Sequence, residues 1–340
     1  MTNVKAQELP FDQYSRQAIV KNVVDTAIRT QSKENSLKVI DLGGHKGHTG
    51  DFLSNDTVTI LDVFDEVYDG YIKGDATKMT YPDDFYDVAV SFDTFEHIQK
   101  DLRKEFVAEA TRVSKYAAII AAPFEDDRGN VGYAEIKAND IYKKVKGEDH
   151  PWLEEHIEYG LPNQKLIEQY IDELGLQFVK VPSNSLVLWF MTQTLMFAGA
   201  SFNHDIKEVV DVSRFYNTHL EDVETADGPH YRYIYVISSN SKVISAVKKL
   251  VPKDATNTCK DVKVIIDYLS KISEAYIGMV RGLQEDVAYL QAREAHLQGA
   301  HDEVATHAQE LENHIKAIHK SPSWRLAHPI KTVRNNNHKD

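Results

Sequence analysis

The segment that most constrains the fold is Val39-Ile40-Asp41-Leu42-Gly43-Gly44-His45-Lys46-Gly47, an apolar run closed by an acid and followed at once by a glycine-rich turn. A short run of this kind fits a strand buried on both faces, the strand type of a parallel sheet. Gly43 and Gly47 let the backbone come close to a ligand where a side chain would collide. A helix opening after the turn offers unpaired N–H groups. Taken alone, the turn suits a dinucleotide enzyme, or a plain surface loop, equally well.

Three runs downstream end in the same way. Leu61-Asp62 closes a second strand, where an acid can accept hydrogen bonds from both hydroxyls of a ribose. Gly74-Asp75-Ala76 closes a third, which puts a carboxylate and a backbone N–H beside an adenine edge. Tyr86 to Phe92 reads as a buried fourth strand, and the loop Asp93-Thr94-Phe95-Glu96-His97-Ile98 after it carries acids and a histidine. In a doubly wound sheet, ligands lie beyond the carboxyl ends of the strands. All four segments end there.

The rest of the first two thirds alternates apolar runs with amphipathic stretches, which predicts a parallel sheet covered by helices. Further strands are expected at 117–122, 177–181 and 231–238, with helices over 14–29, 47–53, 102–113 and 165–174. A long insertion, 184–229, is expected to form a lid or a substrate wall.

With these motifs in view, the stretch from Leu37 to Phe124 resembles the class I S-adenosylmethionine (SAM)-dependent methyltransferases. DLGGHKG is similar to their first motif, LD to the second, GDA to the adenine motif, and DVAVSFDTFEHI to the segment after strand four. The resemblance implies a Rossmann-like, doubly wound α/β sheet of seven strands with an antiparallel last strand, and methyl transfer from SAM. It implies that Asp41, Gly43, Gly44 and Gly47 lie near the methionine part, Asp62 on the ribose, and Asp75 and Ala76 at the adenine, with Val63 and Phe92 also among the cofactor-binding residues. His45 stands where these enzymes carry the middle glycine; it also interrupts the GxGxxG that a nicotinamide enzyme needs.

An oxygen acceptor wants a base, and histidine suits neutral pH. His97 is one candidate by its position after the fourth strand; its bland role is to hold the loop. The other candidates lie in Asp149-His150-Pro151-Trp152-Leu153-Glu154-Glu155-His156-Ile157-Glu158-Tyr159-Gly160, which reads equally as an amphipathic helix stopped by Gly-Leu-Pro. The string HPWLEEHIEYGLP resembles a segment of methyltransferases from bacterial surface-glycan clusters. That resemblance implies His150 or His156 as base, with Trp152, Glu155 and Tyr159 against a sugar acceptor. On the helix before the first strand, Tyr14 and Arg16 are candidates to close over the donor, whose carboxylate suits Arg16. No spacing specifies a metal, so none is expected.

From Ile265 the texture changes. Leu269, Tyr276, Leu283, Leu290, Leu297, Val304, Leu311 and Ile318 recur at every seventh position, with Ile266, Val280, Val287 and Ile315 among the alternating partners. This is the pattern of a coiled coil, interrupted at Ser273, Glu294 and His301. A helix of ~50 residues extends ~75 Å, beyond a domain of this size, so most of the stripe calls for another chain, as a dimer or trimer. The chain therefore divides into a methyltransferase-like domain over 1–245, a connector 246–264, a coiled coil 265–319 and a basic tail 320–340. The tail sets a tryptophan and aliphatics among basic residues, a composition suited to peripheral contact with an anionic membrane. Its SWRL segment resembles tails of surface-polysaccharide glycosyltransferases and their partner methyltransferases, which implies such a glycosyltransferase as a partner.

Composition narrows the partners. The formal charge of -13 argues against nucleic acid. One cysteine, Cys259, allows neither an intrachain disulfide nor a cysteine-held zinc. The N-terminus lacks the apolar core of a signal peptide, so a cytoplasmic protein is expected, at most at the inner face of the membrane. The leading function is O-methylation of a sugar hydroxyl in a bacterial surface polysaccharide or its lipid-linked precursor. A small metabolite or lipid acceptor is the alternative enzyme, and a catalytically degenerate coiled-coil scaffold the alternative of another class.

Overall fold

A computed structural model describes residues 6–45, 47–200, 207–218, 228–251 and 262–327. Seven strands form one sheet: β1 Lys38–Leu42, β2 Thr57–Asp62, β3 Tyr71–Lys73, β4 Tyr86–Phe92, β5 Ser114–Pro123, β6 Gln177–Ser185 and β7 His230–Ser238. Their order is β3-β2-β1-β4-β5-β7-β6; the first five run parallel, and β7 lies antiparallel between β5 and β6. The expected Rossmann-like sheet with an antiparallel last strand is therefore present. The chain reverses direction outward from β1 toward β2 on one side and β4 on the other, which places the switch point at the β1–β4 edge.

The alternation of side chains along β1 decides what each face holds. Ile40 and Leu42 join one core with Phe106 and Val107 of helix α4 (Arg103–Arg112) and Ile167 and Ile171 of α7 (Gln164–Glu173). Val39 joins the opposite core with Val20 and Val23 of α1 (Phe11–Val23) and with Val243 of the helix Ser241–Val247. Asp41 shares the Val39 face but lies at the strand's carboxyl end, beyond the apolar layer. That parity sets a carboxylate under the end of α1.

A third core cluster lies beside the sheet. Helix α5 (Asn130–Lys146) contributes Val131, Ala134, Ala138 and Ile141, and α8 (Leu186–Ala200) contributes Leu186, Trp189, Phe190 and Phe197. Between α5 and α7 the short α6 (Pro151–Tyr159) opens on a proline, a residue whose missing N–H costs nothing in a first turn, and ends at Gly160 with φ 69°. The expected strand bounds shift most at β6, which runs on to Ser185 because β7 supplies partners up to the Ser185–His230 pair. The 184–229 insertion contains α8 and α9 (Lys207–Thr218).

A helix of 59 residues, Val262–Lys320, follows, and by contacts the chain divides into units 1–277 and 278–340. Ile266 and Ile277 are buried in the cluster with α5 and α8, and Lys144 pairs with Glu274 at 2.5 Å. The first turns of this helix thus belong to the first unit. Within the second unit Leu283, Leu290, Leu297, Val304, Leu311 and Ile318 are all more than half exposed. Trp324, in the short helix Pro322–Ala327, lies against His319. The tail beyond 327 lies outside the described residues.

Candidate functional site

The glycine turn is built first by its own packing. Gly43 has φ +78°, and a Cβ there would collide with the Thr94 side chain of the neighbouring strand end. A Cβ on Gly44 would strike the Asp41 carboxylate, and one on Gly47 would lie 2.7 Å from the carbonyl of Gly44. Glycine is required here so that the chain can fold tightly over Asp41. His45 takes φ 38° at the place of the usual middle glycine, with its ring edge-on to Phe64. Its backbone N–H donates to Asp62 Oδ2 at 3.0 Å, which ties the turn to the end of β2.

Asp41 is 1% exposed. Thr49 Oγ1 donates to its Oδ2 at 2.5 Å, while Oδ1 has no partner. Burial pushes this carboxyl up to about 7, against the pull of the Thr49 hydroxyl and the Arg16 charge. An orphaned acid on a cavity wall is a seat for a cation.

These groups open into a cavity of about 570 Å³ at the carboxyl ends of β1 and β4. Its lining includes Asp41, Gly43, Gly44, Gly47 and Phe92, and also His97, His150, Trp152 and His156. The fold thus joins the glycine turn to three histidines distant in sequence. Asp62, Val63, Asp75 and Ala76 stand at the ends of β2 and β3 and do not line this cavity; Val63 is exposed, and Asp75 Oδ1 accepts from the Thr77 backbone and hydroxyl at 2.9 and 2.6 Å. Glu155 and Tyr159 are also off the wall. Arg16 is on it, paired with Asp93, whereas the Tyr14 ring is buried against Phe52.

Helix geometry explains the histidines. Trp152 and His156 stand one turn apart on α6, and Leu153 completes the face turned to the cavity. His97 ends the short 3-10 turn Phe95–His97 after β4. Its Nδ1 lies 3.0 Å from Glu155 Oε2, and its ring meets Trp152 edge-on. His156 Nδ1 lies 2.9 Å from Glu135 Oε1, which also accepts from the Tyr231 hydroxyl at 2.8 Å. The two Nε2 atoms are 3.3 Å apart.

Burial lowers the pKa of His97, helped by the neighbouring His156 and opposed by Glu155. His156 is also buried, but the hydrogen bond and charge of Glu135, with Glu96 and Glu155 nearby, raise its pKa. His150 is pulled down by burial and by His156; its ring packs on Tyr142 and Phe197, and its Nδ1 has no partner.

Sequence reasoning missed part of the wall. Arg232 on β7 is fully buried and holds Asp93 through two bonds of 2.6 and 2.5 Å, a bidentate pair. Asp93 takes φ 46°, and Arg16 reaches it from α1. Burial and the Arg232 charge lower the Arg16 guanidinium to about 10. Glu96 is 1% exposed and neither of its oxygens has a hydrogen-bond partner. Trp189 of α8 stacks on Tyr231 at 3.8 Å, and Gln193 and Met196 complete that side. The acids Asp93 and Glu96 stood in the loop already singled out; Arg232 gave no signal, because a cation inside an apolar strand shows its purpose only when its partner is known.

Residues 54–122 match a family model described as a methyltransferase domain. No curated protein sequence matches the chain. Among solved structures, a SAM-dependent methyltransferase from Aquifex aeolicus aligns at 16% identity and a TM-score of 0.33, covering 54% of this chain and 88% of that one. The phosphoethanolamine N-methyltransferase 2 of Haemonchus contortus aligns at 14% identity and a TM-score of 0.39, covering 70% of this chain and 57% of that one. Likenesses this distant say nothing of the acceptor. The orphaned Asp41 oxygen and the open glycine turn fit the cationic methionine end of SAM.

Proposed function

We propose that this SAM-dependent methyltransferase delivers its methyl group to a sugar hydroxyl, in a bacterial surface polysaccharide or its lipid-linked precursor. The observation that carries the reading is the single cavity shared by the Asp41 turn and the His97–His156 pair. SAM supplies a methyl made electrophilic by its sulfonium charge. Asp41, Gly43 and Gly44 would hold its methionine end, and Asp62 its ribose. The acceptor hydroxyl must then lie in line with that methyl, and positioning of this kind is worth up to roughly 7–11 kcal/mol in well-oriented systems.

His97 and His156 are the groups placed to activate the hydroxyl. Each has Nδ1 on a carboxylate, which fixes the ring and turns Nε2 toward the other histidine, so the two rings would act as a pair. Assistance of this kind typically contributes about 10²–10⁴-fold. Trp152 is 58% exposed beside His97, a flat apolar face of the kind on which sugar rings stack. The HPWLEEHIEYGLP resemblance supports the same acceptor.

The long helix supports a second element of the proposal. Its exposed leucines recur every seventh residue, so we assign its partner as a second or third copy of the chain. Incubation with labelled SAM and a cell-envelope fraction tests the acceptor. Label is expected in glycan O-methyl groups and should vanish when the gene is deleted; label in a small metabolite or lipid instead would refute the sugar assignment. Calorimetry that detects no SAM binding would favour a scaffold.

A further inference from the structure

We infer that His97, His156 and Glu96 form a binding site for one divalent ion of the zinc type, at the head of the methyl-transfer cavity. The expectation of a metal-free chain rests on spacing along the sequence. The fold brings the ligands together from the turn after β4 and from α6, and one ligand atom of each lies within 4.8 Å of the others.

The orientation of the rings is the first argument. Each imidazole gives its Nδ1 to a carboxylate, Glu155 for His97 and Glu135 for His156. A carboxylate accepts, so each Nδ1 carries a proton and, in the neutral ring, each Nε2 presents a lone pair. The two Nε2 atoms face each other across 3.3 Å, close enough for one proton to be shared between them or for a metal ion to take both lone pairs. Metal-bound histidines are held by an outer carboxylate in this way.

Distance is the second. Zinc–nitrogen bonds of ~2.0–2.1 Å at a tetrahedral angle put two ring nitrogens about 3.3–3.4 Å apart. The separation here is 3.3 Å. Glu96 Oε1 lies 3.9 Å from His156 Nε2, so a small side-chain rotation brings it to ligand range.

The third argument is Glu96 itself. A buried carboxylate with no hydrogen bond to either oxygen is costly, and a bound cation would offset that cost. Two histidines and one glutamate make a familiar zinc ligand set, which leaves a fourth position open. A cation there would polarise an acceptor hydroxyl. That purpose rests on the proposed methyl transfer; the existence of the site does not.

The full-length chain, stripped with chelator, is titrated with Co²⁺ while visible absorption is followed, then with competing Zn²⁺. One equivalent should bind with the intense bands of a four-coordinate site. His97→Ala should abolish those bands. Glu155→Gln, which leaves all three ligands in place, should weaken binding about 10–100-fold. Both positions are partly exposed, so both variants should keep the wild-type circular dichroism. Absence of saturable binding, or binding that His97→Ala leaves intact, overturns the inference. The underlying reading fails separately. Full methyl transfer by metal-free chain removes the metal's role in the transfer and leaves imidazole bases, whereas metal binding by a chain that ignores SAM keeps the metal site and removes the transfer.

Discussion

Asp41 couples donor binding to pH in a way that can be worked from its surroundings. Burial holds its carboxyl near 7 in the ligand-free cavity, so it is half protonated at pH 7 and about nine-tenths protonated at pH 6. A cationic methionine end favours the ionised form, and binding must expel the proton. If the bound carboxyl stays ionised, affinity is reduced about twofold at pH 7 and about elevenfold at pH 6, relative to the fully ionised site. Donor affinity should therefore tighten about fivefold from pH 6 to 7, close to 1 kcal/mol. Over this range an α-amino group, with a pKa of about 7.7–8.0, keeps its charge.

Calorimetry in buffers of different ionisation enthalpy would show the corresponding release, near half a proton per site at pH 7. Asp41→Asn should bind the donor more weakly and lose this part of the slope, leaving only what the histidines contribute. An Asp41→Asn variant with the wild-type slope and proton release would refute the assignment of Asp41 as the donor's counter-charge.

The same carboxyl predicts a stability effect of opposite sense. Its folded value lies above its unfolded value, so its contribution is fully present below about 4 and is lost as pH rises toward 7, by ~1.4 kcal/mol per unit. Denaturant titration of the ligand-free protein should show wild type losing ground to Asp41→Asn over that window and levelling off above it. Asp93→Asn should cost about 1.5–3 kcal/mol in the same assay, because it removes the ionised acceptor of the Arg232 and Arg16 hydrogen bonds; a cost within about 0.5 kcal/mol, as at an exposed pair, would show that these bonds carry little stability. Gly43→Ala should destabilise by at least about 1–3 kcal/mol, since its Cβ overpacks against Thr94 at a positive φ, and melting should report it. Leu290→Glu with Leu297→Glu should convert an oligomer to monomer in sedimentation equilibrium, with unit 1–277 unaffected; an unchanged mass would place the stripe's partner elsewhere.

The sheet was legible in the chain because its signals are local. An apolar run closed by an acid recurs at Asp41, Asp62 and Asp75, with a glycine turn after the first, and backbone sterics fix what such a run must do. The heptads likewise announced a long helix, because their period is a property of the chain alone. The α6 segment announced its stop at Gly160.

Tertiary structure decided what faces what. His97 and His156 meet only because the β4 turn and α6 converge, and the carboxylates that orient them come from α5 and α6. Arg232 finds Asp93 across the sheet edge, a pairing no sequence period encodes. Gly43 and Gly44 are glycine because Thr94 and Asp41 occupy the space a Cβ needs, a close approach visible only once the strands are side by side. Local propensity is written into neighbouring residues, whereas a constellation of charges depends on distances that exist only after the chain has folded.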